Sequence, residues 1–353
     1  MEHNYPTPEG NPSCRVCGRS IASVYHCSVV VPIFKSEDHI SRLFSYVGEL
    51  DRAIPGGVKI IFSIDGSPDD SEQSIRLAAM NYNIPVHMLR LSRNFGVGPA
   101  LHAGLEASDA CATVVFGSDL QEPLDLFVKF VNKICSEGVD VCLGQRMTRS
   151  DPARMKFFSA IFWWINRHFL ENDTPKGGFD VFGVSQRARL ALVSMRELNS
   201  SITSQLQWVG FNREYIRYDR TQRIAGKSTW SFRKKLRLFA DSIYGFSGLP
   251  IAILTSIGLL SVCVIGLISV MTLVGAILGI INVKGYATIL LLIAFGNAVT
   301  ISGVGILGGY IFRTFDNSKG RPKFIVQDDY RLNQGLEVRT EDVNRFKPED
   351  EQE

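Results

Sequence analysis

Two long stretches of this chain are almost free of charge, and they limit what it can fold into more than any other feature. One runs from Ile251 to about Val274 and the other from Ala287 to about Ile311. At 1.5 Å of rise per residue, each is long enough as a helix to cross a hydrocarbon core of roughly 30 Å. A helix on the surface of a soluble domain keeps one polar face, and neither stretch has one. A pair of buried core helices is the alternative. The link Ile280–Tyr286 carries one charge, Lys284. Basic residues gather outside the pair: Arg233, Lys234, Lys235 and Arg237 before it, Arg313, Lys319, Arg321 and Lys323 after it. Positive charge marks the cytoplasmic side of a membrane segment. The expected topology is a two-span transmembrane hairpin over 249–312, with a large N-terminal domain and a C-terminal tail (313–353) in the cytoplasm.

The rest of the chain reads as soluble. Its 353 residues are 45% apolar and 21% charged, an average that hides the split near residue 248. A formal net charge of +3 and the lack of a long basic run argue against nucleic acid as a partner. The first residues, Met-Glu-His-Asn-Tyr-Pro, have neither the basic nor the apolar region of a signal peptide. Seven scattered cysteines, mostly within apolar runs, suit a reducing compartment. Cys14 and Cys17 have the spacing of half a zinc site. A structural zinc needs four ligands, and only His26 and Cys27 lie near, so zinc and a flexible 1–27 extension with free thiols both stay open. Phe232, Leu236, Phe239 and Ile243 form an apolar stripe with basic residues interleaved, as in a helix lying in the headgroup layer over 231–248. Phe158, Ile161, Phe162, Ile165 and Phe169 make a second stripe, either interfacial or core-facing.

Between residues 28 and 145, short β-branched runs alternate with helical patterns. Strands are expected at Ser28–Ile33, Val58–Ile64, Val86–Leu91, Ala112–Phe116 and Val139–Leu143. Helices are expected at Asp38–Leu50, Ser71–Tyr82, Pro99–Ser108 and Pro123–Ser136. Continuously apolar strands separated by helices imply an α/β fold with a mainly parallel sheet covered on both faces. Ligands of such sheets bind beyond the carboxyl ends of the strands. There the sequence places Pro32, Phe34 and Glu37, then Asp65-Gly66-Ser67, then Asp119 with Gln121 and Glu122, then Gly144-Gln145-Arg146. Acidic groups converging on one edge suit a divalent cation with a ribose or diphosphate. One carboxylate after a strand is often only a helix cap. Gly96-Val97-Gly98 lacks the third glycine of a dinucleotide fingerprint and follows the wrong strand.

In this order the segments resemble the family-2 glycosyltransferases of the GT-A fold, in particular the polyprenyl-phosphate branch that includes dolichol-phosphate mannose synthase. The resemblance rests on Val29–Phe34, Ile64-Asp65-Gly66-Ser67, Leu91–Gly96, Ser118–Pro123, Arg223–Ser228, Gly308-Gly309-Tyr310 and Lys319-Gly320-Arg321-Pro322, and covers roughly residues 28–326. It implies a GT-A catalytic domain at 28–230 and inverting transfer from a nucleotide-sugar, a UDP- or GDP-sugar, to an undecaprenyl or dolichyl phosphate. Pro32, Phe34, Glu37, Asp65, Gly66, Arg93 and Ser118 would bind the donor nucleotide. Asp119 and Gln121 would hold Mg2+ or Mn2+. Arg146, Arg223, Lys227 and Ser228 would bind the acceptor phosphate, and Asp180 would orient the acceptor or act as base.

Membrane lipids are further expected partners, and a homo-oligomer is left open. The chain departs from the family pattern at Gly117, where the metal loop usually opens with aspartate, at Ile64, and at Lys35-Ser36. Rival readings are a catalytically degenerate membrane scaffold, suggested by Gly117, and a membrane glycosyltransferase with another acceptor. A processive synthase is disfavoured because no Gln-x-x-Arg-Trp motif is present.

Overall fold

The computed structural model describes residues 27–146, 179, 181–198, 200–219 and 285–333, with scattered positions between 256 and 278. The chain opens on β1 (Cys27–Ile33), a 3-10 turn (Glu37–His39) and α1 (Ile40–Ala53). There follow β2 (Val58–Ile64), α2 (Ser71–Ala79), β3 (Val86–Leu91), α3 (Val97–Glu106), β4 (Ala112–Val115), α4 (Leu124–Cys135) and β5 (Val141–Arg146). Then come β6 (Val181–Ser185), α5 (Gln186–Ser194), α6 (Ile202–Trp208), β7 (Arg213–Tyr218), α7 (Tyr286–Ser318) and β8 (Val326–Leu332).

All eight strands form one sheet in the order β7-β5-β6-β4-β1-β2-β3-β8. β1 pairs in parallel with β2 and β4, β2 with β3, and β5 with β7. β6 runs antiparallel between β4 and β5, and β8 antiparallel to β3. The order reverses at β1, because the chain leaves it for β2 on one side and later places β4 on the other. A crevice at such a reversal is where open α/β sheets bind ligands.

Alternate residues of the buried strands feed two cores. Val29, Val31 and Ile33 pack with Leu43, Phe44 and Val47 of α1, Ile75 of α2 and Phe127, Phe130 and Ile134 of α4. Val30 and Ile61 face the other way, toward Ala100, Leu101 and Leu105 of α3, Leu192 of α5 and Leu206 of α6. The buried residues of α1 recur at three- and four-residue steps, which is why this segment is helical and where it faces.

The C-terminal region differs from the sequence expectation. The expected tail is no separate appendage over 326–332, where β8 instead completes the sheet. His87 Nε2 lies 2.7 Å from Asp329 Oδ1. The Arg76 guanidinium sits 3.9 Å over the Tyr330 ring. The Asn333 amide donates to the carbonyls of Ala79, Tyr82 and Ile84 beyond the end of α2. Among the described residues, no helix is long and apolar enough to cross a membrane. The first expected span falls mostly outside those residues, as do several side chains of α7. The 1–27 extension and the 231–248 stripe also lie outside them, except Cys27, which opens β1. Cys27 and Cys142 are free and buried, as small apolar residues would be, whereas Cys111 is disulfide-bonded.

Candidate active site

Loops following β1, β2, β3 and β4 meet at the carboxyl edge of the sheet. The β1 loop is wound tightly, with Lys35 at φ 53°, and its amides are taken one after another by the β2–α2 loop. Lys35 N–H donates to Ser67 Oγ at 2.7 Å, Ser36 N–H to Ser71 Oγ at 3.2 Å and Glu37 N–H to Asp69 Oδ2 at 3.3 Å. The Glu37 carboxylate returns the favour by accepting Asp70 N–H at 3.4 Å. Both serine hydroxyls donate to Asp69. Burial alone would raise the Asp69 carboxyl; hydrogen bonds from Ser67, Ser71 and the amides of Glu37 and Ser71 outweigh it and hold the group below its ordinary value. Ser36 Oγ lies 2.9 Å from Ser118 Oγ, which ties in the β4 loop. Phe34 stays 41% exposed at the tip, with Lys35 Nζ 5.8 Å from its ring centroid.

Asp65, expected at the nucleotide, holds backbone of the neighbouring loop. Its side chain is buried, and its two oxygens accept the amides of Phe95 at 2.7 Å and Gly96 at 2.9 Å. The carboxylate therefore fastens the β3–α3 loop to the end of β2. Gly66 sits at φ 57°, a region open chiefly to glycine, and a Cβ there would meet Arg93 C and Asn94 N at 2.5 Å. On the outer side of the same loop, the Arg93 guanidinium stacks 4.0 Å from the Phe95 ring centroid. Arg93 and Phe34 thus present flat groups beside the loops that follow β1 and β3.

In the β4 loop, Leu120 takes φ 48°, and Gln121 and Glu122 turn inward, 6% and 4% exposed. The Tyr46 hydroxyl of α1 fixes this turn by donating to Glu122 O at 3.0 Å. Asp119 is half-buried and is the loop carboxylate nearer to solvent. A Cβ at position 117 would stand 2.9 Å from Asp119 Oδ1, so glycine leaves the room that this carboxylate occupies. Among the described residues, no three His, Cys, Asp or Glu side chains are grouped to hold a metal. The donor set therefore fits a cation that brings most of its ligands with it. Mg2+ is commonly held by one or two carboxylates plus substrate phosphates and waters. Gln121, expected as a further ligand, is buried in the turn.

Register places β5 and β6 at the same edge. Val115 and Leu143 both pair with Phe182, so Arg146, the half-buried last residue of β5, lies beyond the level where β4 ends. Val181, which opens β6, pairs with Gly144. Asp180, Arg223, Lys227 and Ser228 lie outside the described residues. The structure thus brings together Pro32, Phe34, Glu37, Asp65, Gly66, Arg93, Ser118, Asp119 and Gln121, with Arg146 along the edge. Sequence reasoning missed Asp69, although Ser67-Pro68-Asp69-Asp70-Ser71 carries the hydroxyl and carboxylate spacing of local side-chain-to-backbone turns.

A model of the family described as Glycosyl transferase family 2 matches residues 28–194. The SfII prophage-derived bactoprenol glucosyl transferase of Shigella flexneri is 31% identical over 309 residues, covering 87% of this chain and 99% of that protein. The prophage bactoprenol glucosyl transferase homolog of Escherichia coli K12 is 31% identical over 301 residues, 85% of this chain and 98% of that one. Among solved structures, the glucosyl-3-phosphoglycerate synthase of Mycobacterium tuberculosis, in complex with Mn2+, UDP-glucose and phosphoglyceric acid, is 17% identical with a TM-score of 0.46. That likeness covers 64% of this chain and 79% of the synthase.

Proposed function

Because the chain belongs to glycosyltransferase family 2 and carries that family's GT-A-like, mostly parallel α/β domain, we propose that it moves a sugar from a nucleotide-sugar to a polyprenyl phosphate at the cytoplasmic face of a membrane. Glucose from UDP-glucose is the first donor to test, since bactoprenol glucosyl transferases are similar to nearly the whole chain. In this reading the apolar stretches 251–274 and 287–311 span the membrane, and α7 contains the second span. The observation that supports the lipid acceptor is the point at which the chain leaving α7 rejoins the sheet. Ser92 N–H donates to Ile325 O at 3.0 Å and Leu91 pairs with Val326, so the chain leaving α7 returns to the sheet at the edge that bears the donor loops. An acceptor held in the bilayer would thus arrive beside the donor.

The chemistry follows from the groups at that edge. Phe34, the β1 loop and the Asp65-fastened β3–α3 loop hold the nucleotide. Mg2+ or Mn2+, held by Asp119 and the donor's own diphosphate, would neutralise charge on the departing nucleotide. The acceptor phosphate has a second pKa of about 6, so it arrives largely ionised at neutral pH and needs little help from a base. The chain's task is mainly to aim it at the anomeric carbon from the face opposite the leaving group, which inverts the configuration. Arg146, with Arg223, Lys227 and Ser228, would hold that phosphate, and Asp180, directly before β6, would orient it.

The test is transfer of label from UDP- and GDP-sugars into organic-extractable lipid, with membranes carrying the wild-type protein or Asp119→Ala, with and without EDTA. Lipid-phase label that is lost with EDTA and with Asp119→Ala is the expected result. A folded wild-type protein that labels no lipid from any donor, with undecaprenyl phosphate supplied, would overturn the reading and favour the degenerate scaffold.

A further inference from the structure

We infer that Lys323 is a positioning residue for transfer: its side chain ties the exit of α7 to the α5–α6 loop and seats it against α3, and so sets where a lipid-borne acceptor meets the donor loops. The inference rests on the membrane-acceptor reading.

Lys323 lies between α7 and β8, and its ammonium reaches into the protein. It donates to Met195 O, in the loop after α5, and stands 3.3 Å from His102 Nε2 of α3. His102 Nε2 is also 2.8 Å from Gln205 Oε1 of α6, and the Gln205 amide donates to Ser200 Oγ at 2.5 Å. With Gln205 Oε1 taking the Nε2 proton of His102, the hydrogen bond of Lys323 goes to the α5–α6 loop, and its ammonium packs against α3 at His102. A second tie acts on the same loop, where Leu198 N–H donates to Asn317 Oδ1 in the last turn of α7 at 3.2 Å. Next along the chain, Phe324 and Val326 pack against the core that holds Leu101 and Phe95.

These ties reach both halves of the proposed site. α3 is capped at its N-terminus by Gly96, whose amide Asp65 holds, so the helix that Lys323 packs against starts at the donor loops. The gripped loop follows β6 and α5, and β6 begins immediately after Asp180. Burial brings the Lys323 amine down to about 8, with Glu197 opposing, and His102 to about 4, with Lys323 adding to the effect and Gln205 opposing. A long, flexible cation kept in such a place at that cost holds a geometry that a surface lysine would not.

The test uses the full chain reconstituted in nanodiscs, with undecaprenyl phosphate and UDP-glucose each varied at saturating levels of the other. Lys323→Met is expected to raise KM for the lipid, or to lower its kcat/KM, by roughly tenfold to a hundredfold while KM for the nucleotide-sugar stays unchanged. Asn317→Ala removes the second tie without touching the buried cluster and should shift the lipid parameters in the same direction, by less. Unchanged lipid parameters in both variants would overturn the inference. So would a parallel loss in donor and lipid parameters that follows a fall in Tm, since that is the mark of a merely structural lysine. Trypsin cleavage after Lys319, followed by mass spectrometry with no substrate present, is the readout independent of transfer. It should be faster in Lys323→Met than in wild type, and equal rates would reject the fastening. If the wild-type protein glycosylates no polyprenyl phosphate, the acceptor reading falls on its own, and the trypsin comparison still decides whether Lys323 holds the exit of α7.

Discussion

Asp65 reaches from the end of β2 to the backbone amide of Phe95, 30 positions later, and binds it at 2.7 Å. With Gly96 taken by the other oxygen, the carboxylate is an internal clamp between two loops at the carboxyl edge of the sheet. Asp65→Asn keeps the size of the side chain and leaves one amide facing an NH2 group. The expected cost is about 1–3 kcal/mol of stability, with a raised KM for the nucleotide-sugar. Urea unfolding and initial rates would check the two effects separately.

Gly66→Ala should be more damaging than its single methyl suggests. The new Cβ would meet backbone atoms of Arg93 and Asn94 at 2.5 Å, and the residue would be held at φ 57°. Backbone cannot swing aside as a side chain can. A loss of at least about 2 kcal/mol is expected, read as a fall in Tm by differential scanning fluorimetry.

Gly117→Asp is expected to be tolerated and to strengthen metal dependence. The only contact of its Cβ below 3 Å is with Oδ1 of Asp119, the far end of a side chain that can rotate away. Two carboxylates would then flank the loop. The Mn2+ concentration giving half-maximal activity should fall, and an unchanged value would mean that the new carboxylate does not reach the cation.

His102 makes acid stability a specific prediction. Burial, helped by the Lys323 charge, lowers its pKa from the ordinary 6.5 to about 4, so the folded protein keeps the ring neutral while the unfolded chain protonates it. The stabilisation is fully present above pH 6.5 and is lost as pH falls from 6.5 toward 4, by up to about 3 kcal/mol. His102→Gln should flatten the decline of Tm across that window, and a decline as steep as wild type would place its cause in other groups. Lys323 acts at the opposite end: with its pKa lowered from 10.5 to about 8, its burial weighs on the fold below pH 8 and is relieved as pH rises toward 10.5.

The apolar strands were the legible part of this chain. Val58–Ile64 and Val86–Leu91 mark β2 and β3 to the residue, because both runs, Arg90 apart, are buried on two faces and bounded by turn residues. α3 starts two residues before Pro99, which the first helical turn accepts because an N–H there has no partner within the helix. β8 could not be read the same way. Val-Gln-Asp-Asp-Tyr-Arg-Leu is too polar to announce a strand, and it is one because an antiparallel edge lets charged side chains face water and pair with Arg90, His87 and Arg76. The strand ends at Asp65 and Asp119 were legible as an edge that binds something. What Asp65 holds was not, since a carboxylate that clamps amides and one that binds a ribose look alike in sequence.

The pairing of β3 with β8 also orders events during synthesis. Met88 and Tyr330 stand opposite each other in that pair, yet the ribosome makes them 242 residues apart, with both apolar stretches in between. Everything through β7 can collapse while the nascent chain is still emerging. β3 must wait with a bare edge until both apolar stretches have been made and the next few residues have cleared the exit tunnel. A chain that goes astray in that interval would be left with an open strand edge, which is prone to pair with other chains. The last strand of the sheet thus doubles as a check that everything before it has been made.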